Sequence, residues 1–334
     1  MQPHDDVIDT NADPRKMALE EWVSQQVGQA VVGEPASADA SFRRYFRFDV
    51  GDRTLIGMDA PPDKEDCRPF IHVAGLLADA GVNAPHIIAQ DLAQGFLLLP
   101  DMGSQTWLAL LNSENADTLF NKAIDALIQI QRVSRPNVLP VYDEALLRRE
   151  LELFPEWYLQ RHLGLTVDAA LREQLDAIFD VLVQRALAQS CVYVHRDFMP
   201  RNLMDSDPNP GVIDFQDAVY GPISYDPICL FKDAFVSWPE EKVLGWLERY
   251  WQKGRAAQLP LPSTFEDFLH DCDLMGAQRH LKVIGIFARI CHRDGKPKYL
   301  EDVPRFFAYL QTVIDRRPEL AALGELLKSL PKSE

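Results

Sequence analysis

His195-Arg196-Asp197 is followed by Asn202, five residues after the aspartate, and a strand-length later by Ile213-Asp214-Phe215. An aspartate, an amide at that offset and a second aspartate on a neighbouring loop make up the set that phosphoryl transfer from ATP to a hydroxyl requires. Asp197 would accept the proton of the attacking hydroxyl, while Asn202 and Asp214 would ligate the cations bridging the nucleotide phosphates. Hard oxygen ligands of this kind suit Mg²⁺. Arg201, inside the same loop, would either stabilise negative charge on the phosphoryl oxygens or close an ion pair with a nearby acid. Each of these residues alone is ordinary in a polar loop; their order and separation carry the assignment.

The elements that must position them are readable. Cys191-Val192-Tyr193-Val194 reads as a buried strand delivering the first loop, and Gly211-Val212-Ile213 as another delivering Asp214. Asp205-Ser206-Asp207-Pro208-Asn209-Pro210 between them is dense in turn formers, so the two strands are expected to form a hairpin. Upstream, Asp13-Pro14 starts a helix ending near Gly28. A small-residue segment follows, then strands over 42–48 and 54–58, a helix through Phe70 and Leu77 to Gly81, and a strand pair over 86–89 and 95–99. Beyond Asp101-Met102-Gly103 the pattern becomes helical, with helices expected over 116–133, 143–161, 167–188, 240–258, 265–289, 303–315 and 319–330. The expected organisation is α+β with two lobes: residues 1–101, small and mixed with an antiparallel sheet, and residues 102–334, larger and mainly helical, with a hinge between them.

Composition bounds the partners. With 34 Lys+Arg against 50 Asp+Glu the chain carries a net charge of −16, which argues against nucleic acid or an anionic membrane as the main partner. The five cysteines are scattered without CxxC spacing, so neither a disulfide framework nor a zinc site is indicated, and a reducing cytoplasm fits. The polar N-terminus has no apolar core of a secretory signal, and the greasy stretch 281–290 is interrupted by Lys282 and Arg289. No obligate protein partner is evident.

The catalytic segment His195-Arg196-Asp197-Phe198-Met199-Pro200-Arg201-Asn202 with Ile213-Asp214-Phe215-Gln216-Asp217 resembles the aminoglycoside phosphotransferase family of protein-kinase-like small-molecule kinases, over nearly the whole chain. That resemblance implies a bilobal protein-kinase-like fold with ATP in the cleft beneath the hinge. Asp39–Arg47 and Gln278–Arg289 narrow it to a branch whose substrate is a small amino sugar of the bacterial cell wall. The implied acceptor is the C1 hydroxyl of N-acetylmuramate or N-acetylglucosamine.

The chain departs from the kinase pattern where a third-strand Lys should grip the phosphates: Leu55-Ile56-Gly57-Met58-Asp59 has none, and no GxGxxG precedes Ser41. Arg43 or Arg44, with backbone amides around Ser41 and Phe42, is the expected substitute, since a guanidinium grips phosphate in a bidentate fork. The alternative is that both arginines are exposed residues of a two-sided strand. Main-chain groups from Leu98 to Asp101, with Leu99 packing on the ring, would hold adenine; Pro100 offers no N–H. For the acceptor, Asp217 is placed to reach the pocket, and Asp226 to support the catalytic loop from below. The cation for a lactyl carboxylate would come from Arg279, His280, Arg289 or Arg293, among which spacing does not choose. Other hydroxylated acceptors (an aminoglycoside, choline, a different sugar) and a nucleotide-binding pseudokinase are the competing readings.

Overall fold

The computed structural model of the protein describes residues 13–37 and 42–331. The small lobe begins with α1 (Pro14–Val27), whose start is set by Asp13: its carboxylate accepts from the N–H groups of Arg15 and Lys16 at 3.1 Å. Gly28 ends the helix at φ 71°, a conformation that favours glycine. Five strands follow, β1 (Gly33–Ser37), β2 (Arg44–Val50), β3 (Arg53–Asp59), β4 (Ala89–Asp91) and β5 (Phe96–Pro100), in the antiparallel order β1-β2-β3-β5-β4. The helix α2 (Arg68–Asp79) connects β3 to β4. β1 falls where a non-regular small-residue stretch was expected. Its Pro35 is tolerated because β1 is an edge strand.

Alternation along these strands makes two faces. Phe46, Phe48, Leu55, Phe96 and Leu98 pack on Leu19, Trp22 and Val23 of α1. Met58, Leu97 and Leu99 turn the other way, towards Phe70, Val73 and Leu77 of α2. Gly57 is required on the α1 face, because a Cβ there would lie 2.6 Å from the Phe48 ring.

The large lobe contains α3 (Trp107–Leu110), α4 (Ala116–Arg132), α5 (Glu144–Leu151), α6 (Ala169–Leu187), four short strands β6 (Cys191–Val194), β7 (Leu203–Met204), β8 (Gly211–Val212) and β9 (Val219–Pro222), and then α7 (Tyr225–Phe231), α8 (Glu240–Ala256), α9 (Phe265–Asp294), α10 (Val303–Arg316) and α11 (Ala321–Ser329). The helix expected over 143–161 is divided: α5 ends at Leu151, and a π-type helical stretch, Phe154–His162, begins beside Pro155, whose missing N–H interrupts the regular ladder. The 30-residue α9 is the axis of the lobe, about 45 Å long at the usual rise. Nearly every residue from Phe268 to Ala288 is buried, which requires a helix surrounded on all sides. Gly285 permits backbone approach, since a Cβ there would meet the Leu153 carbonyl carbon at 2.3 Å.

The expected hairpin between 191–194 and 211–213 is not formed. β6 pairs instead with β9, and β7 with β8. The turn-forming run 205–210 does close a hairpin, but a smaller one, and the residues on either side of it become two loops. One, 195–202, runs from β6 to β7; the other, 213–218, runs from β8 to β9. Pairing β6 with β9 clamps the outer ends of both loops together, so the segments carrying Asp197, Asn202 and Asp214 are drawn side by side.

Candidate active site

The first loop is held by its backbone. The buried Asp226 at the start of α7 accepts from the N–H groups of His195 at 2.7 Å and Arg196 at 3.0 Å. Burial pushes its carboxyl up to about 7, against the pull of those two donors. Arg196 takes φ 76°, and two consecutive donors on one carboxylate keep it in that left-handed turn. Its guanidinium is bonded to Glu150 of α5, which also takes Lys282 Nζ at 2.9 Å and the Tyr142 hydroxyl. Lys282 in turn donates to the Tyr225 hydroxyl at 3.0 Å. Burial alone would raise the Glu150 carboxyl, but Lys282 and Arg196 hold it below its ordinary range. This group of charges beneath the loop has no signal in the sequence, because its members lie on α5, α7, α9 and the loop.

His195 joins the two loops. Its Nε2 bonds the Ile213 carbonyl at 3.1 Å, and its Nδ1 accepts from the Asp197 N–H at 3.3 Å. Only the neutral tautomer protonated at Nε2 satisfies both contacts. Burial agrees, pushing the ring down to about 4. The imidazole therefore ties the residue before Asp214 to the amide of Asp197.

Asn202 Nδ2 donates to the main-chain oxygen of Asp197 at 2.9 Å and to Asp214 Oδ2 at 3.3 Å. Gln216 Nε2 reaches Asp214 Oδ1 at 2.9 Å. Asp214 sits at φ 64° and is exposed. The converging oxygen ligands of Asp214 and Asn202 fit a hard divalent ion that completes its shell from phosphates and water. Gln216 was not anticipated; its position two residues past Asp214 is the available clue.

These residues close one end of a cavity of about 340 Å³ between the lobes, lined there by Arg201, Asn202 and Asp214. Ile56 and Leu99 contribute apolar walls, and Pro100 to Ser104 form the hinge end. The Asp101 carboxylate is engaged by Arg47 at 2.6 Å, Thr54 at 2.7 Å and the Gly103 N–H at 3.0 Å, so its side chain braces the hinge. Although burial acts to raise its carboxyl, Arg47 and Thr54 hold it low. Nothing in the catalytic motif marks Arg47, yet the alternation of β2 places it beside Tyr45 on the cavity side.

The same alternation separates the two arginines expected at the phosphates. Arg44, expected at the phosphates, faces α1, paired with Asp59 at 2.5 Å and with Asp13, and is not among the residues lining the cavity. Arg43 points the other way, pairs with Glu65 just before α2 at 3.1 Å, and feels the field of Asp217. Phe42 is 63% exposed, and Ser41 lies outside the described residues. Asp217 is exposed on the second loop, its carbonyl 3.5 Å from Arg196 Nη1.

Arg279 is buried within electrostatic reach of Asp197. Arg289, ten positions on, is about 15 Å further along the axis of α9 and has Arg293, Asp294 and Glu156 as its charged neighbours. It belongs to that end of the helix.

Residues 32–261 match the model of the family described as "Phosphotransferase enzyme family". The chain is 65% identical over 298 residues to an N-acetylmuramate/N-acetylglucosamine kinase of Pseudomonas aeruginosa, covering 89% of this chain and 88% of that one. It is 57% identical over 329 residues to a protein of the same description from Pseudomonas putida, covering 95% and 97%. Among solved structures, choline kinase of Streptococcus pneumoniae superposes with a TM-score of 0.64 at 14% identity over 90% of this chain and 100% of that one. Spectinomycin phosphotransferase, solved with ADP and its antibiotic, gives 0.63 at 14% over 88% and 98%. Among the described residues no helix is long and apolar enough to cross a membrane.

The buried neutral His195 makes stability depend on pH. Its folded value, about 4, lies below the ordinary 6.5, so between the two the unfolded chain binds a proton that the folded chain does not. The contribution is complete above the higher value and is lost as pH falls towards the lower one. Acidification from about pH 7.5 to about pH 5 is expected to cost wild type roughly 2 kcal/mol more than it costs His195→Asn in urea unfolding. Equal losses would contradict the buried neutral ring.

Proposed function

The chain belongs to the phosphotransferase enzyme family, a small-molecule phosphotransferase acting on an alcohol group, and from that premise we propose that it transfers the γ-phosphoryl group of ATP to the anomeric C1 hydroxyl of N-acetylmuramate and N-acetylglucosamine. The products are sugar α-1-phosphates, made in the cytoplasm and returned to peptidoglycan synthesis. The observation that carries this reading is the convergence of Asp197, Asn202 and Asp214 beside the interlobe cavity, in a chain whose 65%-identical relative is a kinase of those two sugars. In this division of labour residues 1–101 hold most of the nucleotide and 102–334 the metal and the sugar.

Adenine enters at the hinge, between Ile56 and Leu99 on one side and Met204 and Ile213 on the other. Asp214 and Asn202 would hold Mg²⁺, which neutralises charge on the phosphate oxygens when bound. Asp197 receives the proton of the C1 hydroxyl, its own main chain fixed at N–H by His195 and at C=O by Asn202. Arg201, lining the cavity with its guanidinium 5.0 Å from the centre of the Phe235 ring, offers positive charge to the phosphoryl oxygens. Arg43 with Glu65 takes the place of the absent third-strand Lys and its helix Glu: a cation just before β2 held by an acid just before α2. A buried Arg279 near Asp197 disfavours a cationic acceptor such as an aminoglycoside or choline.

Purified protein with MgATP and a panel of N-acetylmuramate, N-acetylglucosamine, glucose, choline and kanamycin tests the reading by ADP release and product NMR. Turnover is expected with both N-acetyl sugars, with phosphorus coupled to the anomeric proton; turnover of neither sinks it. Asp197→Asn should reduce turnover by at least about 10³-fold while nucleotide still binds. Arg43→Ala should raise the Michaelis constant for ATP several-fold and Arg44→Ala should leave it near wild type; equal effects would remove the role given to Arg43.

A further inference from the structure

The chain crosses between the lobes over Asp101 to Ser104, residues that belong to no strand. Pro100 before them ends the β5 ladder. Beyond them the Gln105 carbonyl takes the Asp205 N–H at 2.9 Å, and Thr106 bridges Met204 of β7. The crossing itself is held by a side chain of β2. Arg47 donates through Nε to Asp101 Oδ2 at 2.6 Å, and through Nη2 to Asp101 Oδ1 and to the Gly103 carbonyl, each at 3.1 Å. The same carboxylate takes the Thr54 hydroxyl on Oδ2 and the Gly103 N–H on Oδ1. Four donors fill the acceptor sites of the two oxygens, so this carboxylate has none left for a ligand hydroxyl. Gly103, at φ 96°, has both of its main-chain groups held by these side chains.

Strand register puts this clamp at the cavity. Arg47 of β2 stands opposite Ile56 of β3, and Ile56 opposite Leu99 of β5, so the three form a row across one face of the sheet. All three line the cavity between the lobes. Ile56 and Leu99 offer an apolar wall on which a planar base can pack, and Pro100 to Ser104 run along its edge. A fork of two N–H groups on a carboxylate fixes direction as well as distance, so the crossing segment is set at one angle to that wall. We propose that Arg47 is a positioning residue for the adenine base, a clamp from β2 that fixes the hinge main chain against which the base docks. This rests on the reading above that places adenine at the hinge, and deepens it. The guanidinium is engaged at the hinge end of the cavity, while Asn202 and Asp214 close the other, so its effect falls on the base and not on the phosphates.

Calorimetric titration of MgATP, MgADP and magnesium tripolyphosphate into wild type, Arg47→Met and Arg47→Lys tests the clamp, with thermal midpoints read in parallel. Methionine keeps an unbranched stem and removes the fork, whereas lysine keeps the charge but cannot form the fork. ATP and ADP should bind about tenfold more weakly to Arg47→Met, both by the same factor, because the hinge is no longer preorganised. Tripolyphosphate, which has no base, should bind as it does to wild type. Arg47→Lys should show the same pattern at reduced size, and it carries the comparison should Arg47→Met fail to fold. A folded Arg47→Met that binds ATP within about twofold of wild type overturns the clamp, leaving the ion pair a purely structural role. A folded variant that loses tripolyphosphate as much as ATP also overturns it, since the guanidinium would then act on the phosphates. A wild type that binds ATP no more tightly than tripolyphosphate overturns the reading of adenine at the hinge, and the clamp with it.

Discussion

One buried carboxylate governs the site. Asp226 accepts from two successive N–H groups, those of His195 and Arg196, and the second of these residues is left-handed. Neither bond involves a group that reacts, but together they fix the direction in which the chain leaves β6, and with it where Asp197 projects. Hydrogen bonds of this kind contribute about 0.5–1.5 kcal/mol each even to a neutral acceptor, so the pair is of the size of the cost of holding a non-glycine residue at positive φ. Everything downstream is registered from that point: His195 reaches across to Ile213, and Asn202 closes on both Asp197 and Asp214.

The support below is electrostatic and expensive. Glu150, Arg196 and Lys282 bury one negative and two positive charges, with the hydroxyls of Tyr142 and Tyr225 completing their bonds. Such a group adds less to stability than apolar packing of the same volume would, since desolvation consumes most of the Coulombic gain. What it supplies is direction: removing any member strands a buried charge, so the arrangement resists alternatives. The long α9 is placed to serve this end. It delivers Gln278, Arg279 and Lys282 from one stretch of helix, all of them buried, and the first and last touch Glu150 while Arg279 turns to Cys229.

Local chemistry was legible in the sequence and long-range pairing was not. Asp13-Pro14, Gly28 and the run after Pro61-Pro62 act within a few residues, and the helices they bound stand close to where the spacing put them. Asp197, Asn202 and Asp214 could be singled out as candidates because their separation along the chain is itself the signal. The strand partnership of β6 with β9 was not, since four apolar residues can pair with any neighbour and the turn-rich run 205–210 pointed to the nearer one. Arg43 and Arg44 could have been separated by applying the period of two already evident in Phe46 and Phe48. No local rule would have found Glu150, whose importance comes from what distant elements place around it.

Asp226 reaches the reacting centre only through the backbone of the first loop. Rapid-quench measurement of the phosphoryl-transfer step in Asp226→Asn, beside the dissociation constant for ATP, tests it most directly. Asparagine keeps the volume but turns one acceptor oxygen into a donor facing an N–H, so the step should slow by roughly 10²-fold with ATP affinity within about twofold of wild type. A folded variant that transfers phosphate at the wild-type rate would contradict it.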